Sequence, residues 1–142
     1  MKRIHFGLPA IALGAFLASS ALAQDHAYLS SDLFGAYVLD GGVEDATGDF
    51  NGEVDLAKAE LCYFLEVYDL ADADAASIHE GTKTKSGPVV VTLTLPQDQG
   101  KEVCVPVDKT LLQAMTQKPE EYYIAVRSPA HPNGAIRGQL KE

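Results

Sequence analysis

The sequence predicts an all-β fold, an antiparallel sandwich or barrel, and two observations carry that expectation. Three stretches alternate inward and outward positions with period two and are rich in β-branched and aromatic residues: LCYFLEVYDL (61–70), PVVVTLTLP (88–96) and YYIAVRS (122–128). Turn chemistry punctuates the chain about every 8–15 residues, at Asp40-Gly41-Gly42, Ala46-Thr47-Gly48, Gln99-Gly100 and Pro132-Asn133-Gly134.

Taken in order, the first segment is MKRIHFGLPAIALGAFLASSALAQ. Basic Lys2 and Arg3, an apolar middle and the small-residue pattern Ala21-Leu22-Ala23 predict a signal peptide over residues 1–23, cleaved after Ala23. The protein is therefore expected in the periplasm or outside the cell. No stretch after Ala23 is long and apolar enough to span a bilayer, so no membrane insertion is expected. Residues 24–31 read as a flexible arm and residues 32–142 as the domain. Weaker strand signals follow in LFGAYVL (33–39) and DFNGEVDL (49–56).

In the strand 61–70, Leu61, Tyr63, Leu65 and Val67 share one face, and Cys62, Phe64, Glu66 and Tyr68 share the other. SIHEGTKTKSGP (77–88) reads as a turn between strands, with Lys83 and Lys85 at an exposed tip able to touch an anionic partner. KEVCVPV (101–107) is a further weak strand. KTLLQAMTQ (109–117) is the one helix: Asp108 can cap it, Leu111, Leu112 and Met115 form one stripe, and Pro119 ends it. In 122–128, Tyr122, Ile124 and Val126 oppose Tyr123, Ala125 and Arg127, and AIRGQL (135–140) is the last strand.

Composition narrows the partners. Of 11 basic and 20 acidic residues, the signal segment takes two basic and no acidic ones, leaving 119 residues at a formal charge of −11. Such a surface repels phosphate backbones and anionic lipid, which argues against nucleic acid and membrane surfaces. Cys62 and Cys104 are an even pair in an exported chain, which favours a disulfide over a redox or metal role. That crosslink is expected to pin two packed β layers.

Several ordered blocks together resemble the CHRD domain, a module named for chordin and widespread in exported bacterial proteins. They are CY (62–63), IHEG (78–81), GPVVV (87–91), Cys104, PEEYYIAV (119–126) and HPNGAIRGQL (131–140), covering about residues 30–140. The resemblance implies a Greek-key β-sandwich, immunoglobulin-like or superoxide-dismutase-like, with His79, Gly81, Gly87, Pro88, Arg137 and Gly138 in structural roles. It implies no established general activity and no cofactor.

Departures from the family pattern bear on function. Members often read HIHxG and NVHT where this chain has Ser77-Ile78-His79-Glu80-Gly81 and Ala125-Val126-Arg127-Ser128. Residues 77 and 79 of a strand point the same way, so a His pair there would present two imidazoles to one ion. Here His79 stands alone, and its expected role is a hydrogen bond to a backbone carbonyl or to Ser77.

Other candidates are weaker. Cleavage after Ala23 would begin the chain Gln24-Asp25-His26, whose amine, amides and His26 imidazole can enclose Cu(II) or Ni(II) in a square plane. Asp69, Asp72 and Asp74 are carboxylates of the kind calcium selects, without EF-hand spacing. Ser77 and His79 could form a nucleophile and base, but no orienting acid is identifiable. Arg137 faces away from the core, either toward a ligand or holding a carboxylate or loop carbonyls through its planar fork. The reading is an exported, non-catalytic binding or structural module for an undetermined protein or small ligand. The rival is a copper- or zinc-binding, or redox-related, periplasmic protein.

Overall fold

The computed structural model describes residues 24–142, so the expected signal peptide lies outside the described residues. Eight strands form one antiparallel sheet: β1 (His26–Phe34), β2 (Thr47–Asp55), β3 (Glu60–Tyr68), β4 (Ala75–Glu80), β5 (Val89–Leu93), β6 (Val103–Pro106), β7 (Tyr122–Ser128) and β8 (His131–Gln139). Their spatial order is β5-β4-β7-β8-β1-β2-β3-β6. The connections β3–β4, β5–β6 and β6–β7 pass between the β5-β4-β7-β8 half and the β1-β2-β3-β6 half, so the all-β sandwich expected from the sequence is present.

Period-two patterning decides which face is inside. Leu29, Leu33, Phe50, Val54, Leu61, Tyr63 and Leu65 from one half meet Ala76, Ile78, Val91, Leu93, Ile124, Val126 and Ile136 from the other in one buried cluster. Tyr63 is fully buried, and its hydroxyl donates to Thr94 O and accepts from Thr94 N at 2.9 and 2.7 Å. That pair ties β3 to the chain leaving β5, joining strands far apart in the sheet order. The helix α1 (Lys109–Gln117) starts at Asp108, whose carboxylate accepts from Thr110 N and Leu111 N, and it buries Leu112 and Met115. None of the described helices is long and apolar enough to cross a membrane.

Four expectations are corrected. The arm 24–31 is mostly strand: β1 pairs with β2 from His26↔Asp55 to Phe34↔Thr47, because Leu29, Ser31 and Leu33 all point inward. The strand expected at 33–39 ends at Phe34, where the chain leaves the sheet through a single 3-10 turn at Gly35–Tyr37. Residues 77–80 belong to β4, with Ile78 in the core, so the turn is confined to 81–88. The disulfide Cys62–Cys104 forms, but it joins directly opposed residues of the neighbouring strands β3 and β6 within one sheet, and does not bridge two layers.

Candidate functional site: a clamped loop beside a cleft

On the outer face of β4, β7 and β8, cross-strand register builds two rows. Ser77, Ala125 and Arg137 are opposed in one, and His79, Tyr123 and Gln139 in the other. By strand parity these side chains should face solvent. They do not, because the segment 81–88 folds back over them and leaves Tyr123 and Arg137 only 4% exposed.

His79, Arg137 and Gln139 each grip that segment, and Ser77 supports His79. His79 Nδ1 lies 2.9 Å from Gly87 O, and since a carbonyl only accepts, the proton sits on Nδ1. His79 Nε2 then accepts from the Ser77 hydroxyl at 2.8 Å. Arg137 Nη2 donates to Thr82 O and to Lys85 O (3.1 Å), and Nη1 donates to Ser86 Oγ at 3.2 Å. Gln139 Nε2 reaches Gly81 O at 2.8 Å, Glu120 O at 2.6 Å and Tyr122 O at 2.7 Å, sharing two hydrogens among three carbonyls. Thus Arg137 holds loop carbonyls through its fork.

Tyr123 joins these grips. Its ring stacks on His79 with centroids 4.8 Å apart and planes 13° apart, and the Arg137 guanidinium carbon lies 3.5 Å from the ring centre. Its hydroxyl also accepts from Gly87 N at 3.2 Å. Burial pushes the Arg137 pKa down from its ordinary value, while the Tyr123 hydroxyl pulls it the other way.

Gly87 allows the loop's close approach, and Gly138 allows a separate one on the opposite face of β8. A Cβ on Gly87 would fall 1.8 Å from Glu80 O, where the returning loop meets the end of β4. A Cβ on Gly138 would fall 2.3 Å from both Asp32 O and Ser31 Oγ, where β8 crosses β1. Pro88, beside Gly87, accepts from Glu80 N through its carbonyl at 3.1 Å. Of the motif residues, His79, Gly81, Gly87, Pro88 and Arg137 are brought together around the loop, while Gly138 lies on the opposite face of β8 against β1.

Beside the clamp lies a cleft of about 560 Å³, walled by Arg137, Gln139, Lys83, Tyr37, Leu39 and Glu120 among others. Ser77 and His79 are not part of its wall. The Ser77–His79 pair has nucleophile-and-base spacing, but Ser77 is buried and the group orienting the imidazole is an uncharged carbonyl, not an acid.

The remaining candidates lie elsewhere. His26 is on β1, with Nδ1 2.9 Å from Glu53 Oε1. Asp69, Asp72 and Asp74 are exposed. The one trio of metal-ligating types gathered among the described residues is Glu60, Cys62 and Cys104, whose sulfurs are bonded to each other. Sequence reasoning left Gln139 without a role and took Tyr123 for a packing residue. Their signal was parity, since both share the outward register of His79.

The fold and its covered outer face define a small β-sandwich module in which a signature-rich loop is tied down by aromatic and hydrogen-bonded contacts. The chain belongs to the CHRD domain family, whose pattern it matches over residues 29–140. No curated protein and no solved structure matches it.

Proposed function

We propose that the protein is an exported CHRD module that works by binding or structural association and not by catalysis. The observation that carries this reading is the saturation of His79. One ring nitrogen donates to a backbone carbonyl and the other accepts from Ser77, so metal ligation would require breaking one of these bonds. Disulfide formation supports an oxidising compartment, and the amino-terminal pattern supports export. The closed polar face supplies rigidity, and the adjacent cleft supplies a concave surface of the size ligands use.

Metal analysis of protein purified without chelators, alongside His79→Ala, tests the reading. The expected result is substoichiometric copper and zinc in both, with lower stability in the variant. Stoichiometric metal that vanishes in His79→Ala would replace this reading with the metal-binding one. A fluorophosphonate probe covers the hydrolase alternative: labelling at Ser77 would establish a nucleophile, and the expected outcome is none.

A further inference from the structure

Arg137 is overqualified for the clamp. A guanidinium has five N–H donors, and only three find partners among the described residues: the carbonyls of Thr82 and Lys85 and the Ser86 hydroxyl. All three partners are uncharged. The ion pairs among the described residues do not include Arg137, yet it is 96% buried. A buried cation is ordinarily matched by an anion. Here Arg137 forms part of the wall of the cleft.

The cleft's other walls specify what kind of anion. Its charged residues are Arg137, Lys83 and Lys141 against Asp32 and Glu120, and Lys141 is paired with Asp32. Arg137 and Lys83 therefore face Glu120 alone, a surplus of one positive charge in a protein whose formal charge is −9. One negative charge balances the lining, whereas a dianion would meet Glu120 uncompensated. Tyr37 and Leu39 are 54% and 48% exposed on the same wall, and Tyr37 is braced edge-on by Phe34 at 5.1 Å. An apolar shelf beside a single unmatched cation is complementary to an amphipathic ligand.

We propose that this cleft binds a small monocarboxylate with an aromatic or short aliphatic body, its carboxylate on Arg137 with Lys83 alongside and its body on Tyr37 and Leu39. Both Nη2 hydrogens are held by Thr82 and Lys85, so one carboxylate oxygen takes a free Arg137 N–H and the other is left for Lys83 Nζ, charge-assisted contacts that an uncharged amide cannot match. This assignment rests on the binding-module reading and gives it a ligand class. The clamp then has a second consequence: by stacking on Tyr123 and bonding the loop, Arg137 holds its remaining donors in a fixed direction before any ligand arrives.

The test is an NMR titration of ¹⁵N-labelled protein purified from an exporting host. The probes are 3-phenylpropionate, its uncharged amide and 3-phenylpropylamine. The acid should give saturable shifts at the amides of Tyr37, Leu39, Lys83 and Gln139, the amide should bind about tenfold more weakly, and the amine should not saturate. Lys83→Glu and Tyr37→Ala, which leave the clamp's contacts intact, should each weaken the acid by about fivefold or more. No saturable shift with the acid, equal affinity for acid and amide, or unchanged affinity in both variants would overturn the proposal. Failure of the titration in metal-free protein removes the cleft assignment alone. His79-dependent stoichiometric metal removes the underlying reading, whatever the titration gives.

Discussion

Replacing Arg137 with Met keeps the stem's length and removes the fork, so it isolates what the guanidinium does for the loop. Three hydrogen bonds from a charged donor are lost, together with a cation–π contact at 3.5 Å. Taking about 1.5 kcal/mol for each bond and about 1 kcal/mol for the ring contact gives about 5 to 6 kcal/mol gross. Against this, Arg137→Met no longer buries a charge, and relief of desolvation returns part of the loss. A net weakening of about 2–4 kcal/mol in loop closure follows, equivalent to a roughly 30- to 700-fold rise in opening.

Amide hydrogen exchange reads that quantity at named positions. Gly81 N donates to Glu121 O, Lys85 N to Thr82 O and Gly87 N to the Tyr123 hydroxyl, so all three report on closure. Their exchange should accelerate by the stated factor, while core amides of β2 such as Phe50 and Val54 change only with global stability. Arg137→Lys should recover little, because an ammonium cannot reach three acceptors in one plane. Exchange at Gly81, Lys85 and Gly87 within threefold of wild type, or full recovery by lysine, would refute the reasoning.

Four further outcomes are expected. Reducing the disulfide, or the double variant Cys62→Ser and Cys104→Ser, should cost about 4 kcal/mol in urea unfolding, since the crosslink spans 42 residues. Tyr63→Phe should lose about 1 kcal/mol by removing the two part-buried hydrogen bonds between its hydroxyl and the Thr94 backbone. Burial raises the Tyr63 pKa above its ordinary 10.0, so the folded state keeps a proton that the unfolded chain releases first. The wild-type protein should therefore lose stability as pH rises above about 10, and Tyr63→Phe should flatten that decline in urea midpoints measured from pH 8 to 11. Asp108→Ala should lower stability by about 1 kcal/mol through the helix cap, with the circular-dichroism melting temperature as the check.

What could be read from the sequence depended on whether the controlling interaction was local. Helix 109–117 and strand 122–128 were legible to the residue, because Asp108, Pro119 and strict alternation mark them within a few positions. β1 was missed because Ser30, Ser31 and Asp32 interrupt its apolar alternation, although Ser31 is inward and 2% exposed. Residues 33–39 misled in the opposite way: the run is apolar, but Val38 N returns to Gly35 O and the chain turns out of the sheet. The clamp was half legible. Parity placed His79, Tyr123, Arg137 and Gln139 outward, and outward normally means solvent. Their cover is supplied by the segment 81–88, and the bonds that hold it from β8 link residues 51 to 58 positions apart. No pattern local to either segment encodes that contact.

The account depends on His79, Tyr123 and Arg137 acting as one clamp on one loop. A double-mutant cycle of His79→Ala and Arg137→Met, read by exchange at the Lys85 and Gly87 amides, tests this most directly. Because both side chains hold the same segment and stack on the same ring, a coupling of about 1 kcal/mol or more is predicted. Additivity within about 0.3 kcal/mol would show two independent contacts that merely share a neighbourhood, and would contradict the account.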